Sequence, residues 1–234
     1  MMGEIICNVP VMLCITVGAY LLGLWVKKKS GLALMHPFLI SIPVIIAVIK
    51  ATGVSTAFYV ESNYLIEFML DPCVVSLGYL LYVHRHVVRE HLAGILSAVV
   101  VGSIVGVVSV WILCPVFGLG EMFVRSLEAK SVTSPIAMDI AREAGGNVSL
   151  AAVSVILSGF IGAVIGPVMM KILRINDPVA RGLAMGCSSH GLGTARAVEL
   201  GAIEGAVSGL SIALMGILTS LIVPLFNRSQ YAET

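Results

Sequence analysis

Runs without any Asp, Glu, Lys or Arg recur along the chain at 5–26, 30–49, 92–120, 146–170 and 205–227. A helix needs about 20 apolar residues to cross a bilayer core, so each run is long enough, or nearly so, to span. Three segments between them, 62–86, 122–145 and 178–201, mix Gly, Pro, Ser and Thr with several charges. These predict interrupted helices, because irregular backbone at membrane depth survives only against protein or a water-filled cavity.

Composition agrees: 58% of the 234 residues are hydrophobic and 12% charged, against about a quarter charged in soluble domains. The expected class is therefore an all-α polytopic membrane protein in contact with the lipid bilayer, with about seven spanning helices and a re-entrant or broken-helix segment. A net charge of +1 and no basic block longer than Lys27, Lys28 and Lys29 speak against nucleic acid as a partner. The five cysteines form no CxxC pair, so neither a disulfide frame nor a zinc site is signalled. His84, His86 and His91 are interleaved with Arg85 and Arg89, whose charge repels a metal cation. No cofactor or metal is expected. The 5–26 run is followed by three lysines, which predicts a retained first span rather than a cleaved signal peptide.

Basic residues gather at 27–29, at 84–89, at Lys171 with Arg174 and Arg181, and at Arg228. The positive-inside rule makes all four places cytoplasmic. Threading the chain through them puts the N-terminus outside, the C-terminus inside, and 122–145 as a re-entrant segment entering from outside. The expected layout is one membrane domain over 1–234: a first span to 30, a first repeat at 31–120, a re-entrant segment at 121–145, a second repeat at 146–228, and a tail at 229–234.

Residues 74–107 can be laid on 131–164 at constant offset, with identities at Val75/Val132, Arg85/Arg142, Ser97/Ser154, Gly102/Gly159, Ile104/Ile161 and Val107/Val164. A third unit of the same kind, 178–201 then 205–227, follows. Opposed repeats with interrupted helices mark secondary transporters, whose sites lie near the midplane. Small-xxx-small pairs at Gly102/Gly106, Gly162/Gly166, Gly182/Gly186 and Gly205/Gly209 read as close helix packing.

Two segments carry chemistry. In the first, Lys130, Ser131, Thr133 and Ser134 precede Pro135. Proline suits the first turn of a helix, and Ser/Thr can cap it, leaving N–H groups aimed at an anion with Lys130 alongside. Asp139 follows as a candidate carrier of a coupling proton. The second holds Ser188, Ser189, His190, Thr194 and Arg196 in a Gly-rich setting. Ionisable residues at membrane depth are functional suspects, and Arg196 could equally bridge to Glu199 at helical spacing.

The runs KSVTSPIAMDIA, GGNVSLAAVSVILSGFIGAVIGP, RGLAMGCSSHGLGTARAVEL and EGAVSGLSIALMGILTSLIVPLF resemble the LrgB/CidB family of bacterial membrane proteins over nearly the whole chain. The resemblance implies a multi-pass protein of the bacterial cytoplasmic membrane. It also implies either small-carboxylate transport, as in the related plastid glycolate/glycerate translocator, or an antiholin-like control of murein-hydrolase export. The segment from Leu70 departs from the family pattern at Asp71, Cys73, Ser76 and Gly78, with Leu80 where proline is usual, so its helix break should be weaker.

The leading expectation is a secondary transporter of glycolate-, glycerate- or pyruvate-like carboxylates, ion- or proton-coupled, using Lys130, Ser131, Thr133, Ser134, Ser188, Ser189, His190, Thr194 and Arg196. The alternative is an antiholin-like regulator acting with a small holin-like membrane partner of the LrgA/CidA type; a homo-oligomer fits either. An intramembrane hydrolase using Cys187, Ser188 or Ser189 with His190 is not expected, because sequence neighbours do not automatically meet as nucleophile and base.

Overall fold

The computed structural model describes residues 8–30 and 37–231, with side chains as far as Asn227. Cys7, the first residues of the 5–26 run and the end of the 229–234 tail lie outside the described residues. Among the described residues the chain is helical throughout, in two compact units, one ending at Val75 and the other beginning at Ser76.

The first unit holds α1 (Val9–Ser30), α2 (Pro37–Thr52), α3 (Thr56–Ser62) and α4 (Tyr64–Phe68). Here α1 and α2 meet backbone to backbone, since a Cβ at Gly23 would stand 2.6 Å from the Pro37 carbonyl oxygen. Ser41 donates to the Ala19 carbonyl at 3.3 Å, and Thr16 shares a 2.7 Å bond with the Tyr59 hydroxyl of α3. The next helix, α5 (Leu70–Val83), runs without interruption through Gly78 and Leu80, as expected where no proline follows Pro72.

The second unit comprises α6 (Arg85–Glu90), α7 (Leu92–Val116), α8 (Glu121–Leu127), α9 (Ser134–Glu143), α10 (Val148–Ile172), α11 (Pro178–Leu200) and α12 (Ala202–Tyr231). Buried residues of α7 recur every three or four positions at Ile95, Val99, Ser103, Val107, Val110 and Cys114, one stripe of a helix. Ile95 and Val99 share a core with Val207 and Met215, and Ser103 Oγ lies 3.1 Å from the Met215 sulfur. Further along, Trp111 and Asn227 donate to the same carboxyl, that of Glu128. Residue numbers rise together along the contact, so α7 and α12 run parallel. The opposite side of α7 exposes Val101, Val105 and Ile112, the surface a lipid-facing helix presents.

Between α7 and α10 the chain folds as a helical hairpin of α8 and α9. At its open end Arg125 donates to the Ala144 carbonyl at 3.1 Å, and the Asn147 N–H donates to Ser126 Oγ at 2.7 Å. At its tip Lys130 Nζ reaches the Gly106 carbonyl at 2.9 Å, close to the middle of α7. The tip therefore stops about half-way along the span, the re-entrant form expected for 121–145.

The segment 178–201 differs from expectation. It does not cross: α11 reverses at His190, where φ is 38° and ψ is −124°. A Cβ on Gly193 would collide with the Met185 carbonyl oxygen, and Ala197 shares a core with Met185 and Met170. Those contacts are impossible in a continuous helix, whose eight-residue separation spans about 12 Å. Limb 178–189 runs antiparallel to α10, with Met185 against Gly166 and Ser189 against Gly162; limb 191–200 returns to its starting face. Arg181 pairs with Glu204 at 3.4 Å at the open end.

This reversal corrects the crossing count and the side assignments. Among the described residues five helices are long and apolar enough to span, Val9–Ser30, Tyr64–Val83, α7, α10 and Ala202–Asn227, with Pro37–Thr52 apolar but shorter, and 178–201 drops out of the seven expected crossings. The start of α7 and the end of α10 share a face, whereas the end of α12 lies on the opposite one. Arg85 and Arg89 therefore cannot share a face with Arg228, and all four basic places cannot be cytoplasmic. The opposed units displayed are 121–172 and 178–231, each a hairpin followed by a span.

Candidate functional site: two opposed hairpin tips

The two hairpins enter from opposite ends of the second unit and their tips meet around Val155 of α10. Its side chain is fully buried in a cluster with Ala129, Val132 and Val107, which belong to the first tip and to α7. Its carbonyl accepts a 2.9 Å bond from His190 Nε2, at the second tip. That bond fixes the proton on Nε2, since a carbonyl only accepts.

Each tip is seated on a glycine of the span before it. A Cβ on Gly106 would lie 3.4 Å from Ser131 Oγ, and one on Gly162 would occupy the place of Ser189 Oγ. The small-xxx-small positions thus do pack helices closely: Gly106, Gly162 and Gly166 admit a hairpin tip or limb, and Gly182 and Gly186 let the second hairpin lie on α12. Gly186, for instance, brings α11 against the Ser208 carbonyl of α12 at 2.6 Å from a would-be Cβ.

At the first tip Lys130 Nζ also donates to Ser109 Oγ at 3.1 Å, and Ser131 lies half-buried. Thr133 is the N-cap of α9 and makes no side-chain capping bond, so the cap expected of the Ser/Thr pair does not form. Ser134 opens the helix. At the second tip Ser188 and Ser189 share a 2.9 Å bond, and Ser188 also donates to the Ala184 carbonyl at 2.6 Å. Neither serine is bonded to His190, whose Nε2 is committed to Val155.

Three expected site residues lie elsewhere. Thr194, buried, is bonded to Ser208 Oγ of α12 at 2.7 Å and ties the returning limb to that span. Arg196 sits farther down the same limb and pairs with Glu199, the structural bridge that its spacing allowed. Asp139 is exposed on α9 and pairs with Arg142.

Sequence reasoning missed other groups. A buried polar stripe on α12, Glu204, Ser208, Ser211 and Thr219, faces inward at helical spacing, a signal readable in the sequence. Glu128 is 1% exposed; its Oε2 accepts from Trp111 Nε1 at 3.3 Å and its Oε1 from Asn227 Nδ2 at 2.9 Å. Beside it a cleft of about 230 Å³ is lined by Ile140, Glu143, Ala144, Val223, Pro224 and Asn227. Among the described residues no group of three His, Cys, Asp or Glu side chains comes together to hold a metal ion.

Comparison with known proteins places this arrangement. The chain is 35% identical to the uncharacterized protein YxaC of Bacillus subtilis (strain 168), over 94% of its own length and 95% of that protein. It is 29% identical to the antiholin-like protein LrgB of the same organism, over 86% of this chain and 87% of the relative. The holin-like protein CidB of Staphylococcus epidermidis is likewise 29% identical, over 91% and 93%. No solved structure matches. The family described as LrgB-like matches residues 16–228, the spans and both hairpins included, and the chain belongs to that family.

Proposed function

We propose that this chain is a secondary transporter of small carboxylates, whose substrate sits between the two hairpin tips and is exposed alternately to either face. The observation that carries the reading is the convergence of opposed re-entrant tips inside α10, on Val155 and Gly162 either side of its midpoint. Interrupted helices meeting near the midplane are how such transporters build polar sites in hydrocarbon. Lys130 has three N–H donors, two of them used on Gly106 and Ser109, which leaves one for an anion. Ser131, Thr133 and Ser134 stand at the positive end of α9, and Ser188, Ser189 and His190 supply the facing hydroxyls and imidazole. Thr194 and Arg196 hold the second hairpin, and Asp139 plays no part at the tips. If the face shared by Lys171, Arg174, Arg181, Arg85 and Arg89 is cytoplasmic, the end of α12 is outside.

The names of the relatives favour a second reading more directly than transport: an antiholin-like regulator of a holin-type pore, acting with a small membrane partner. Uptake of labelled glycolate, pyruvate and lactate into proteoliposomes containing this chain alone, with and without a pH gradient, separates the two. Saturable uptake that Lys130→Met removes supports transport. No uptake by correctly inserted protein, together with an altered dye leak when a holin-type partner is co-reconstituted, supports regulation and sinks the transport reading.

A further inference from the structure

We propose that Glu128 is a proton-binding site built into the first hairpin, with Asn227 as a hydrogen-bond partner that serves both of its protonation states. Its use as the coupling site rests on the transport reading above; its existence does not.

The carboxyl lies between three elements and is cut off from water, yet the bonds it accepts come from two neutral donors, Trp111 Nε1 on α7 and Asn227 Nδ2 on α12. In this arrangement the Asn227 Oδ1 is buried with no hydrogen-bond partner, a costly state for an acceptor. Turning the amide by half a revolution exchanges its oxygen and nitrogen. The oxygen would then face Glu128 Oε1, where a protonated carboxyl has an O–H to donate. One side chain thus donates to the carboxylate and accepts from the acid. Asn227 also lines the cleft with Glu143, which gives the proton a polar approach from the face where α12 ends. The proton comes from water, adds to Oε1, and leaves by the same route; no other bond changes.

The charged and titratable surroundings fit a group that changes state. From α7 come Trp111 and Cys114, and from α8 comes Arg125, which pairs with Glu121 at 3.0 Å. The tip brings Lys130, bound to Gly106 and Ser109. From α9 come Glu143 at the cleft and Arg142, paired with Asp139. No titratable group precedes Lys171 on α10, and α12 brings Asn227. The donors bonded to it are neutral and fit either protonation state, whereas a bonded cation would hold the group ionised. Glu128 stands two residues from Lys130, in the stretch of hairpin that bears the tip.

The test uses the full chain in lipid and two measurements. Infrared pH-difference spectra of the wild type should show a protonated-carboxyl band that titrates with pH, absent from Glu128→Gln. In proteoliposomes a pH gradient should drive labelled pyruvate uptake by the wild type and fail to drive it in Glu128→Gln. Persistence of the band in that variant, or gradient-driven uptake equal to wild type, overturns the proposal. A wild type that shows the band and moves no pyruvate or glycolate sinks the transport reading and leaves the proton site standing. Should Glu128→Gln fail to fold, Trp111→Phe keeps the carboxyl and removes one donor to its ionised form. Its midpoint must then rise by about half a pH unit, and an unmoved midpoint counts against the site.

Discussion

The first hairpin seats Ser131 on Gly106 of the span before it and the second seats Ser189 on Gly162 of the span before it, yet the tips differ in what they carry. The first brings a lysine and a buried carboxyl into the interior, and its seat leaves a would-be Cβ at the edge of ordinary contact. The second carries neutral hydroxyls and an imidazole at its tip, keeps its charges toward its open end, and its seat has no room for even one carbon. Similar scaffolding, inverted, thus holds charge on one side and a tight steric fit on the other. On the transport reading proposed above, the division gives recognition of charge to the first hairpin and of shape to the second.

The largest effect that would sharpen this contrast lies at the open end of the second hairpin. Arg181→Gln leaves Glu204, 6% exposed, without its cation; with Arg181 itself partly exposed, the loss should fall at or below the low end for a buried pair, about 3 kcal/mol. Thermal unfolding in detergent should show the loss, and a melting curve close to wild type would mean that the second hairpin does not depend on its charges. A smaller effect separates the two seats. Gly162→Ala forces a methyl into Ser189 and should destabilise by about 1–3 kcal/mol, whereas Gly106→Ala should stay within about 1 kcal/mol. Equal losses for the pair would erase the steric difference between the hairpins. Smallest of all is the exchange Arg196→Glu with Glu199→Arg. An exposed pair of this kind is worth at most about 1 kcal/mol, so the reversed pair should keep both melting temperature and substrate binding. Abolished binding in the reversed protein would return Arg196 to the site.

Much of this was legible in the sequence. Spans follow from long uncharged runs, and the first hairpin from the side on which charges fall around 121–145. Both chemical segments proved to be tips, because Gly, Ser and Pro collect where backbone must turn inside hydrocarbon. The second reversal was not legible from composition, since a limb that goes in and a limb that comes back use the same residues as one crossing. One clue was present: Arg181 and the Arg196–Glu199 pair stand near both ends of the segment, as they must when both ends meet the same interface. Arg196 received a substrate role because spacing alone cannot tell a bridge from a ligand. Glu128 went unremarked because a single Glu in a mixed segment looks like a surface residue until Trp111 and Asn227, 17 residues before it and 99 after, are seen to enclose it.

Val155 has a consequence for leakiness. Its side chain belongs to the packing of one tip and its carbonyl holds the other, so a shift of α10 at that point disturbs both at once and neither hairpin can lose its hold there unnoticed by the other. On the transport reading proposed above the two tips are the seals, and holding both on one residue makes their states mutually dependent: a substitution at Val155 that unseats both at once leaves a leak where unseating one alone would not.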